Sequence, residues 1–532
     1  MTDELAQPIY FIAPGVALPR GGAVEVGNKA YNLMRLAAAG LRVPPGFALP
    51  TNWCGKLKSE NPPDLPAALH RSIRWLEQTS GLGFGSPRRP LLVSVRSGAP
   101  VSMPGMLETV LDLGLNGTTV EGLIRLTGNP RLAWDSYRRL VRGFAEVVTG
   151  LSGDALDAAA AEAGGGDEPP AGGYDHRTLR AMTQAMLDRY RALAGEPFPE
   201  DVHEQLARAT AAVFGSWDAP KAVTYRRLNG ISDEIGTAAT VQMMVFGNAG
   251  GGSGAGVAFT RDPATGERKL YVDFQFNGQG EDVVAGRSVL NSQDLLQQCL
   301  PVVIGELEAI SRMLETLFGN VQDFEFTLQS GKLYLLQTRT AKTTPWAALR
   351  IAVDLVEERV ITPAEALARL QGLDLDSIRR NRLAGAAGPP LAAAVVASPG
   401  FATGAIALTP EAAERMAASG RKLILVRRDI ATEDIAGMAR AEGVLTAAGG
   451  RTSHAAVVAR QLGKVCLVGC QSLVVDLPRR QCRIGDRLLD EGDTISLDGN
   501  AGRVFADALE AITERPEHEL AIIRGWQRAA AA

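Results

Sequence analysis

One histidine lies in a glycine-led segment that has the pattern of a helix start. Residues 449–460 have the sequence GGRTSHAAVVAR and follow a β-rich run at 443–446. Thr452 or Ser453 suits the N-cap, which predicts His454 in the first helical turn. Free backbone N–H groups and the positive end of the helix dipole gather there, which favours a neutral imidazole and an attached phosphoryl anion. A lone histidine at such a place is more often a packing or capping residue, but this pattern also suits a phosphoryl nucleophile.

Two carboxylates alternate with two phenylalanines in a second segment. The run DFEF at 323–326 has the period of a β-strand, so Asp323 and Glu325 are predicted on one face and the rings on the other. Adjacent carboxylates repel one another unless a cation lies between them, and their oxygens suit Mg²⁺. On the following predicted strand, Gln337 and Arg339 also share a face. Without further context, the carboxylates would be expected to form a solvated strand face.

Two cations stand beside turns nearer the N-terminus. Lys29 follows Gly27 at a predicted helix start, and Arg96 lies near the end of a β-rich run at 91–98. Either one alone would be expected to be a solvated surface cation. Arginine nevertheless suits a bidentate grip on phosphate, and lysine a point charge. The sequence contains no GxxxxGK[ST] segment, so a P-loop is excluded and any nucleotide must be held in another way.

The elements that would position these side chains alternate along the chain. The glycine run at 250–256 is predicted to be the turn of a hairpin between strands at 241–246 and 257–260, rather than a phosphate cradle. A second hairpin is predicted at 323–338. Residues 344–384 are predicted to be helical, with a capping box that begins at Thr362.

A further compact unit is predicted at 398–505. It contains five strand-like runs, at 404–408, 422–427, 443–447, 465–468 and 493–497.

Composition restricts the class of protein. The chain has 532 residues, which suggests three to four domains, and a formal net charge of −4, which gives no basic footprint for nucleic acid. It has no run of 18 apolar residues, so we expect no membrane span. Five cysteines are too few for a disulfide framework, and the acidic start at residues 1–5 does not have the pattern of a secretory signal. We therefore expect a cytoplasmic protein without nucleic-acid or membrane partners.

The segment around His454 resembles the phosphohistidine motif of the pyruvate phosphate dikinase family of phosphoenolpyruvate-utilising enzymes. The Thr-Ser-His form is most similar to that family. The likeness spans about residues 20–505. It is carried by SPG at 398–400, EGVL at 442–445, GK at 463–464, EGDTISLDG at 491–499, the segments at 237–247 and 279–286, and DFEFTL and GKLYLLQTR within 323–339.

The resemblance implies a multidomain α+β and α/β fold. Its expected parts are an ATP-grasp-like ATP domain with two lobes at 1–340, a helical linker or hinge at 341–393, and a swivelling β/α phosphohistidine domain at 394–508, followed by a C-terminal tail at 509–532. In the family mechanism ATP binds with Mg²⁺. The histidine attacks the β-phosphorus and releases AMP, phosphate removes the outer phosphoryl group as pyrophosphate, and the remaining phosphoryl group passes to pyruvate.

The resemblance also assigns roles to residues of this sequence. Thr452 matches a regulatory phosphorylation site of the plant-type enzyme. The implied catalytic residues are His454, Arg96 and Lys29; the implied ATP-binding residues are Lys29, Arg96, Gln242, Glu281, Gln337 and Arg339; and the implied metal ligands are Asp323, Glu325 and Gln337.

The sequence departs from the family at several places. The family's Gly-Gly-Lys-Gly is GNKA at 27–30 here, and Arg451 replaces a residue that is usually methionine. The family continues into a phosphoenolpyruvate/pyruvate-binding barrel, which needs at least about 200 residues, and the sequence ends at Ala532. We therefore expect the barrel to be a separate domain or chain. A homo-oligomer is a further expectation.

Two other functions remain open at this stage. One is a stand-alone ATP-dependent histidine phosphotransferase with another acceptor. The other is a non-catalytic nucleotide-binding regulatory module.

Overall fold

The computed structural model describes residues 9–101, 103, 106–166, 173–280, 283, 293–385, 387–430, 434–450 and 454–531. The chain divides into two compact units, which are considered separately below. The first unit is Met1–Ser253 with Thr327–Thr338, and the second is Gly254–Phe326 with Arg339–Ala532.

An antiparallel sheet and a layer of helices form the first unit. The five-stranded sheet has the order β1-β2-β7-β5-β6. The strands of the sheet are β1 Tyr10–Ile12, β2 Gly46–Leu49, β5 Val93–Gly98, β6 Thr109–Leu113 and β7 Ala238–Met243. Two further strands, β3 Gly83–Phe84 and β4 Pro90–Leu91, form a short parallel pair. The helices are α1 Ala23–Ala38, α2 Trp53–Lys56, α3 Leu65–Ser80, α4 Thr119–Thr127, α5 Pro130–Thr149, α6 Gly153–Gly164, α7 His176–Ala194, α8 Val202–Gly215 and α9 Pro220–Leu228.

The predicted hairpin over residues 241–260 is wrong. Strand β7 lies between β2 and β5, whereas β8 Gly254–Phe259 pairs with β9 Tyr271–Phe276 in a different sheet. The glycine run therefore leads from one sheet to the next. Inside β8 the glycines make room for aromatic rings, because a Cβ at Gly254 would lie 2.1 Å from the ring of Phe274.

The second predicted hairpin is confirmed. Strands β10 Gln322–Gln329 and β11 Lys332–Thr340 are joined by Ser330 and Gly331, whose φ angles are +49° and +77°. Two positive φ angles are typical of the tight turn that matches the twist of paired strands. Together with β8 and β9, this hairpin forms a four-stranded sheet of order β11-β10-β8-β9.

The second unit contains the remaining elements. Its further helices are α10 Gln293–Cys299, α11 Pro301–Phe318, α12 Pro345–Glu357, α13 Pro363–Leu370, α14 Pro410–Ala418, α15 Ile435–Arg440, α16 His454–Gln461 and α17 Glu517–Ala531. Its further strands are β12 Arg380–Leu383, β13 Ala392–Ala393, β14 Val395–Ser398, β15 Phe401–Ala407, β16 Leu423–Arg427, β17 Gly443–Thr446, β18 Val465–Val468, β19 Leu473–Asp476, β20 Gln481–Ile484, β21 Arg487–Asp490, β22 Thr494–Asp498, β23 Arg503–Phe505 and β24 Ala511–Glu514.

An eight-stranded mixed sheet forms the centre of the predicted phosphohistidine region. Its order is β13-β23-β22-β15-β16-β17-β18-β14, and the neighbours from β15 to β18 run parallel. Each parallel step is made through a helix (α14, α15 or α16), as the connection between parallel strands requires. All five strands predicted between 404 and 497 are present.

Only part of the predicted helical stretch 344–384 is helical. Helices α12 and α13 form there, and the side chains of Thr362 and Glu365 make the predicted capping box at the start of α13. After residue 370 the chain leaves the helix, and β12 pairs with β24. A pairing between strands that are 128 to 134 residues apart leaves no local signal in the sequence. The buried Leu520 and Ile523 of α17 join the core made with α12 and α13.

The expected class, a mixed α/β multidomain protein, is confirmed by these sheets and helices. Among the helices that the structure describes, none combines the length and the apolar character required of a membrane span.

Candidate active site

A close backbone crossing places Lys29 beside the end of β5. Gly27 has a φ angle of +75°, which interrupts α1, and a Cβ there would lie 1.8 Å from the carbonyl oxygen of Gly98. The backbone N–H of Asn28 donates to the carbonyl oxygen of Ala99 at 3.1 Å. Only glycine permits this approach, which brings the start of the regular part of α1 against the strand that carries Arg96.

The Arg96 guanidinium lies against β11. Nη1 donates to the carbonyl oxygen of Leu336 at 3.3 Å, and Nη2 donates to Oε1 of Gln337 at 3.3 Å. Arg96 is half-buried and approaches β11 with two of its nitrogens. The structure therefore brings together two of the predicted phosphate-binding residues within the first unit.

Gln242 shares a sheet face with Arg96. In the register of β5 and β7, Ser94 lies opposite Gln242 and Arg96 opposite Thr240, so Arg96 and Gln242 are diagonal neighbours on one face. The Gln242 side chain is buried, and its Nε2 donates to the carbonyl oxygen of Pro44 at 3.0 Å. This amide is thus fixed by the fold before any ligand arrives.

In the second unit, the predicted metal carboxylates lie on β10. Asp323 is buried, and Nε and Nη2 of Arg339 each lie 2.8 Å from its Oδ2. Burial is the largest influence on the Asp323 carboxyl and raises its pKa; the Arg339 guanidinium acts in the opposite direction, and the charge of Glu325 acts with the burial. The site therefore holds more negative charge than its surroundings solvate well, and Arg339 compensates part of it.

This donor set fits Mg²⁺. A magnesium ion is usually bound through one or two carboxylates together with substrate phosphates and water. Asp323 and Glu325 supply two carboxylates on one strand face. In the part of the chain that the structure describes, no group of three or more His, Cys, Asp and Glu side chains gathers into a metal site, and none is needed for this type of binding.

The backbone of His454 opens α16 between two parallel strands. The helix begins at His454 and ends at Gln461, between β17 and β18. Ligands of open α/β sheets bind at the carboxyl ends of parallel strands, and the helix start follows the carboxyl end of β17. The side chain of His454, together with the whole of Thr452 and Glu281, lies outside the part of the chain that the structure describes.

Neighbouring loops hold the turn that precedes α16. The backbone N–H of Ala448 donates to the carbonyl oxygen of Arg428 at 2.8 Å, and Oγ1 of Thr446 donates to the carbonyl oxygen of Ala448 at 2.6 Å. Gly449 has a φ angle of +98°, and a Cβ at Gly469 would lie 2.9 Å from its carbonyl oxygen. The positive φ angle accounts for glycine at position 449, and the close approach accounts for glycine at position 469.

Sequence reasoning missed Arg460, at the other end of the same helix. Its side chain is 1% exposed, and Nη1 donates to the carbonyl oxygen of Ala397 at 3.0 Å. The guanidinium carbon lies 5.6 Å from the centre of the Phe259 ring. The available signal was a single charged residue at the end of the apolar run at 455–459.

Two regions of the chain match models of known protein families. Residues 57–298 match the family model described as pyruvate phosphate dikinase, AMP/ATP-binding domain. Residues 420–502 match the model described as PEP-utilising enzyme, mobile domain.

Curated relatives extend the similarity over most of the chain. Pyruvate, phosphate dikinase of Clostridium symbiosum is 41% identical over 95% of this chain and 58% of its own length. Pyruvate, phosphate dikinase 2 of Zea mays is 42% identical over 90% of this chain and 55% of its own length. The Rhizobium meliloti protein of the same name is 40% identical over 98% of this chain and 60% of its own length. The chain thus spans a little over half the length of these relatives.

Proposed function

Since the chain carries the AMP/ATP-binding domain of pyruvate phosphate dikinases and the mobile domain of PEP-utilising enzymes, we propose that it transfers phosphoryl groups from ATP to His454. The β-phosphoryl group stays on the histidine, AMP leaves, and inorganic phosphate accepts the outer phosphoryl group as pyrophosphate. The observation that supports this most strongly is that a nucleotide domain and a histidine at the start of α16 occur in one chain.

Each proposed site residue has a chemical task. Lys29 and Arg96 neutralise and orient the triphosphate, and Gln337 adds an amide oxygen close to the Arg96 fork. Gln242 and Glu281 border the nucleoside. These roles rest on the chemistry of the side chains and on the resemblance.

The carboxylates of Asp323 and Glu325 hold Mg²⁺ in this proposal, and the ion, when bound, offsets charge on the phosphates. Arg339 keeps the buried Asp323 compensated, and its guanidinium would also suit a phosphate oxygen. Phosphoryl transfer of this kind depends on positioning and charge neutralisation, since the side chains contribute little covalent chemistry beyond the nucleophile.

At the histidine, the start of α16 supplies backbone N–H groups that stabilise the attached phosphoryl anion. The residues at 341–393 and 509–532 flank the 394–508 segment as its linker and tail, and they let it swivel between the nucleotide and an acceptor. We propose pyruvate as the acceptor, a barrel domain or separate barrel chain as its site, and Thr452 as a point of regulation. Five free cysteines fit a cytoplasmic location.

The reaction products test the function. The chain is mixed with ATP, Mg²⁺ and phosphate, and the nucleotides are separated after a single turnover. AMP and pyrophosphate are expected in amounts close to that of the protein, with pyrophosphate dependent on added phosphate. The His454→Asn variant should release no AMP, whereas His518→Asn, a change of an exposed histidine on α17, should behave as wild type.

Other outcomes separate the remaining functions. ADP as the product would contradict the dikinase chemistry and indicate an ordinary kinase. Nucleotide binding without any turnover would indicate a regulatory module. Addition of pyruvate then tests the acceptor, because phosphoenolpyruvate appears only if the chain reaches a pyruvate site.

A further inference from the structure

Arg460 lies at the opposite end of α16 from the proposed nucleophile. The two residues are six positions apart, which is about 9 Å along a helix axis. Since Arg460 is 1% exposed, it has left water almost completely. A guanidinium is costly to bury, so the contacts that compensate it stabilise the placement of the helix seen in this structure.

These contacts reach the sheet that carries the proposed metal carboxylates. The Arg460 guanidinium carbon is 5.6 Å from the centre of the Phe259 ring, a distance at which a cation is attracted to an aromatic face. Phe259 is the last residue of β8 and lies opposite Tyr271 of β9, and Val257 lies opposite Asp273. Phe259 and Asp273 therefore belong to the same face of the sheet.

Three aspartates act on the same guanidinium. Burial lowers the pKa of the Arg460 guanidinium; Cys466 is the largest opposing influence, and the negative charges of Asp323, Asp262 and Asp273 follow it. They lie on β10, just after β8 and on β9, and we call them the aspartate trio. The trio provides negative charge near a buried cation, since the Ala397 carbonyl oxygen that accepts from Nη1 carries no formal charge.

We propose that Arg460 is a positioning residue for the phosphorylation of His454: it holds α16 against the Phe259 ring and the sheet face that also carries Asp273. This inference rests on the proposed function for its catalytic consequence. A hydrophobic residue could fill the same space without the cost of burying charge, so the guanidinium serves to set the place of the helix. His454 then stays about 9 Å along the helix axis from the buried Arg460.

The rate of histidine phosphorylation tests the catalytic consequence. We compare wild type with Arg460→Met and Arg460→Lys in rapid-quench experiments that use β-labelled ATP at saturating Mg²⁺. Misplacement of a reacting group by about 1 Å can cost 100-fold, so a roughly 10- to 100-fold slower transfer is expected for Arg460→Met, with unchanged affinity for ATP. Arg460→Lys keeps the charge and should recover part of the rate.

Arg427, a half-buried arginine at the end of β16 in the eight-stranded sheet, provides the matched control. Arg427 donates from Nη1 to the carbonyl oxygen of Leu408 at 3.1 Å and pairs with Asp434, both remote in sequence from the aspartate trio. Arg427→Met should lose stability but keep the transfer rate per folded molecule. Equal slowing in Arg427→Met and Arg460→Met would overturn the proposal, because it would indicate general damage to the fold. A wild-type rate in Arg460→Met would overturn it as well.

Hydrogen exchange tests the contact independently of catalysis. In the ligand-free chain, Arg460→Met should speed amide exchange in β8 and α16 together, whereas Arg427→Met should leave β8 protected. Unchanged protection of β8 in Arg460→Met would overturn the contact. If the wild-type chain takes up no label at all, the proposed function fails, and the exchange result still decides whether Arg460 holds α16 on the sheet.

A change on the other side of the contact completes the test. Phe259→Leu removes the ring, and it should slow transfer in the wild-type background by less than Arg460→Met does. In the double variant that combines both changes, Phe259→Leu should add no slowing beyond that of Arg460→Met, because the two side chains act through one contact. Full additivity would contradict the assignment.

Discussion

Two arginines hold the oxygen-bearing side chains that the proposed nucleotide chemistry uses. Arg96 donates to the amide oxygen of Gln337, and Arg339 is paired with the carboxylate of Asp323. A nucleotide phosphate must compete with the amide for Arg96, and a metal ion must compete with Arg339 for the carboxylate. These partners keep the polar groups compensated before the ligand binds, which limits the cost of burying them.

The Arg96→Lys variant tests the fork geometry. Lysine keeps the positive charge but cannot present two parallel N–H groups to a phosphate. We expect kcat/KM for ATP to fall by roughly 10- to 100-fold, the effect of losing one charged hydrogen bond. Steady-state kinetics would show it, and Arg125→Lys, a change of an exposed helix residue that donates to the carbonyl oxygen of Pro87, should change little. Equal kcat/KM in all three proteins would remove Arg96 from the nucleotide site.

Thiol reactivity tests the packing around single residues. Cys299 is exposed, whereas Cys54, Cys466, Cys470 and Cys482 are buried. Burial raises the pKa of Cys466 to about 12 and is the main cause that raises the pKa of Cys482 to about 11. Because the thiolate is the reactive form, these two thiols remain protonated and unreactive at pH 8.

We therefore expect a single rapidly alkylated cysteine at pH 8 in the native chain. Peptide mass spectrometry after brief treatment with iodoacetamide should find the modification at Cys299. Rapid modification of Cys466 in the folded chain would contradict the buried position of β18.

At this scale the sequence identified residue types better than contacts. The alternation at 323–326 correctly placed two carboxylates on a strand. The partners of those carboxylates were harder to infer, because Arg339 pairs with Asp323 across a turn and Arg460 reaches Phe259 from 201 positions away. Long-range pairing of this kind leaves no periodic signal in a single sequence.

At the scale of the secondary-structure elements, predictions that rested on a local turn or capping motif were confirmed. Ser330 and Gly331 form the tight turn that pairs β10 with β11, and the capping box starts α13 as its spacing indicates. The hairpin predicted around the glycine run at 250–256 is wrong, because glycine is found in hairpin turns and also in strands that pack under aromatic rings. Here Gly254 and Gly256 lie beneath Phe274 and Phe326.

Gly27→Ala tests the close crossing of α1 and β5. A positive φ angle costs a non-glycine residue about 1–2 kcal/mol, and a Cβ would in addition collide with the Gly98 carbonyl oxygen. The matched control is Gly40→Ala, which has a φ angle of +80° but no atom within 4 Å of its Cβ position. Urea unfolding should show a greater loss for Gly27→Ala, accompanied by weaker ATP binding. Equal losses would indicate that the crossing is loose.

Arg261 connects three elements of the second unit. Its guanidinium is fully buried, contacts Glu315 of α11 with two nitrogens at 2.9 Å, and donates to Asp354 of α12 and to Glu358. The network fastens α12, the first helix of the predicted linker, to the end of β8.

Removal of one member of this network should be costly. In Arg261→Met the buried Glu315 carboxylate loses its partner, which typically costs about 3–5 kcal/mol. Urea unfolding should show that loss, whereas Arg268→Met, a change of an exposed arginine that also contacts Glu358, should stay within about 1 kcal/mol. A small loss for Arg261→Met would mean that water reaches the carboxylates.

At the scale of the whole molecule, the two compact units are not continuous in sequence, so their limits are hard to predict from the sequence alone. The first unit takes in residues 327–338 from the far end of the β10–β11 hairpin. Backbone and side-chain bonds hold them there: Nη1 of Arg42 donates to the carbonyl oxygen of Leu333, and Nδ2 of Asn32 donates to that of Thr338. The chain length predicts three to four domains, and this number and the boundaries at 340, 393 and 508 remain predictions.

The most direct test of the account is the position of the label after reaction with ATP. The chain is incubated with Mg²⁺ and ATP labelled at the β-phosphorus or, separately, at the γ-phosphorus, and is then treated with phosphate and digested. We predict that acid-labile β-label remains on the peptide containing His454 and that γ-label leaves as pyrophosphate. Retention of γ-label without β-label, or equal labelling of the His454→Asn variant, would contradict the account.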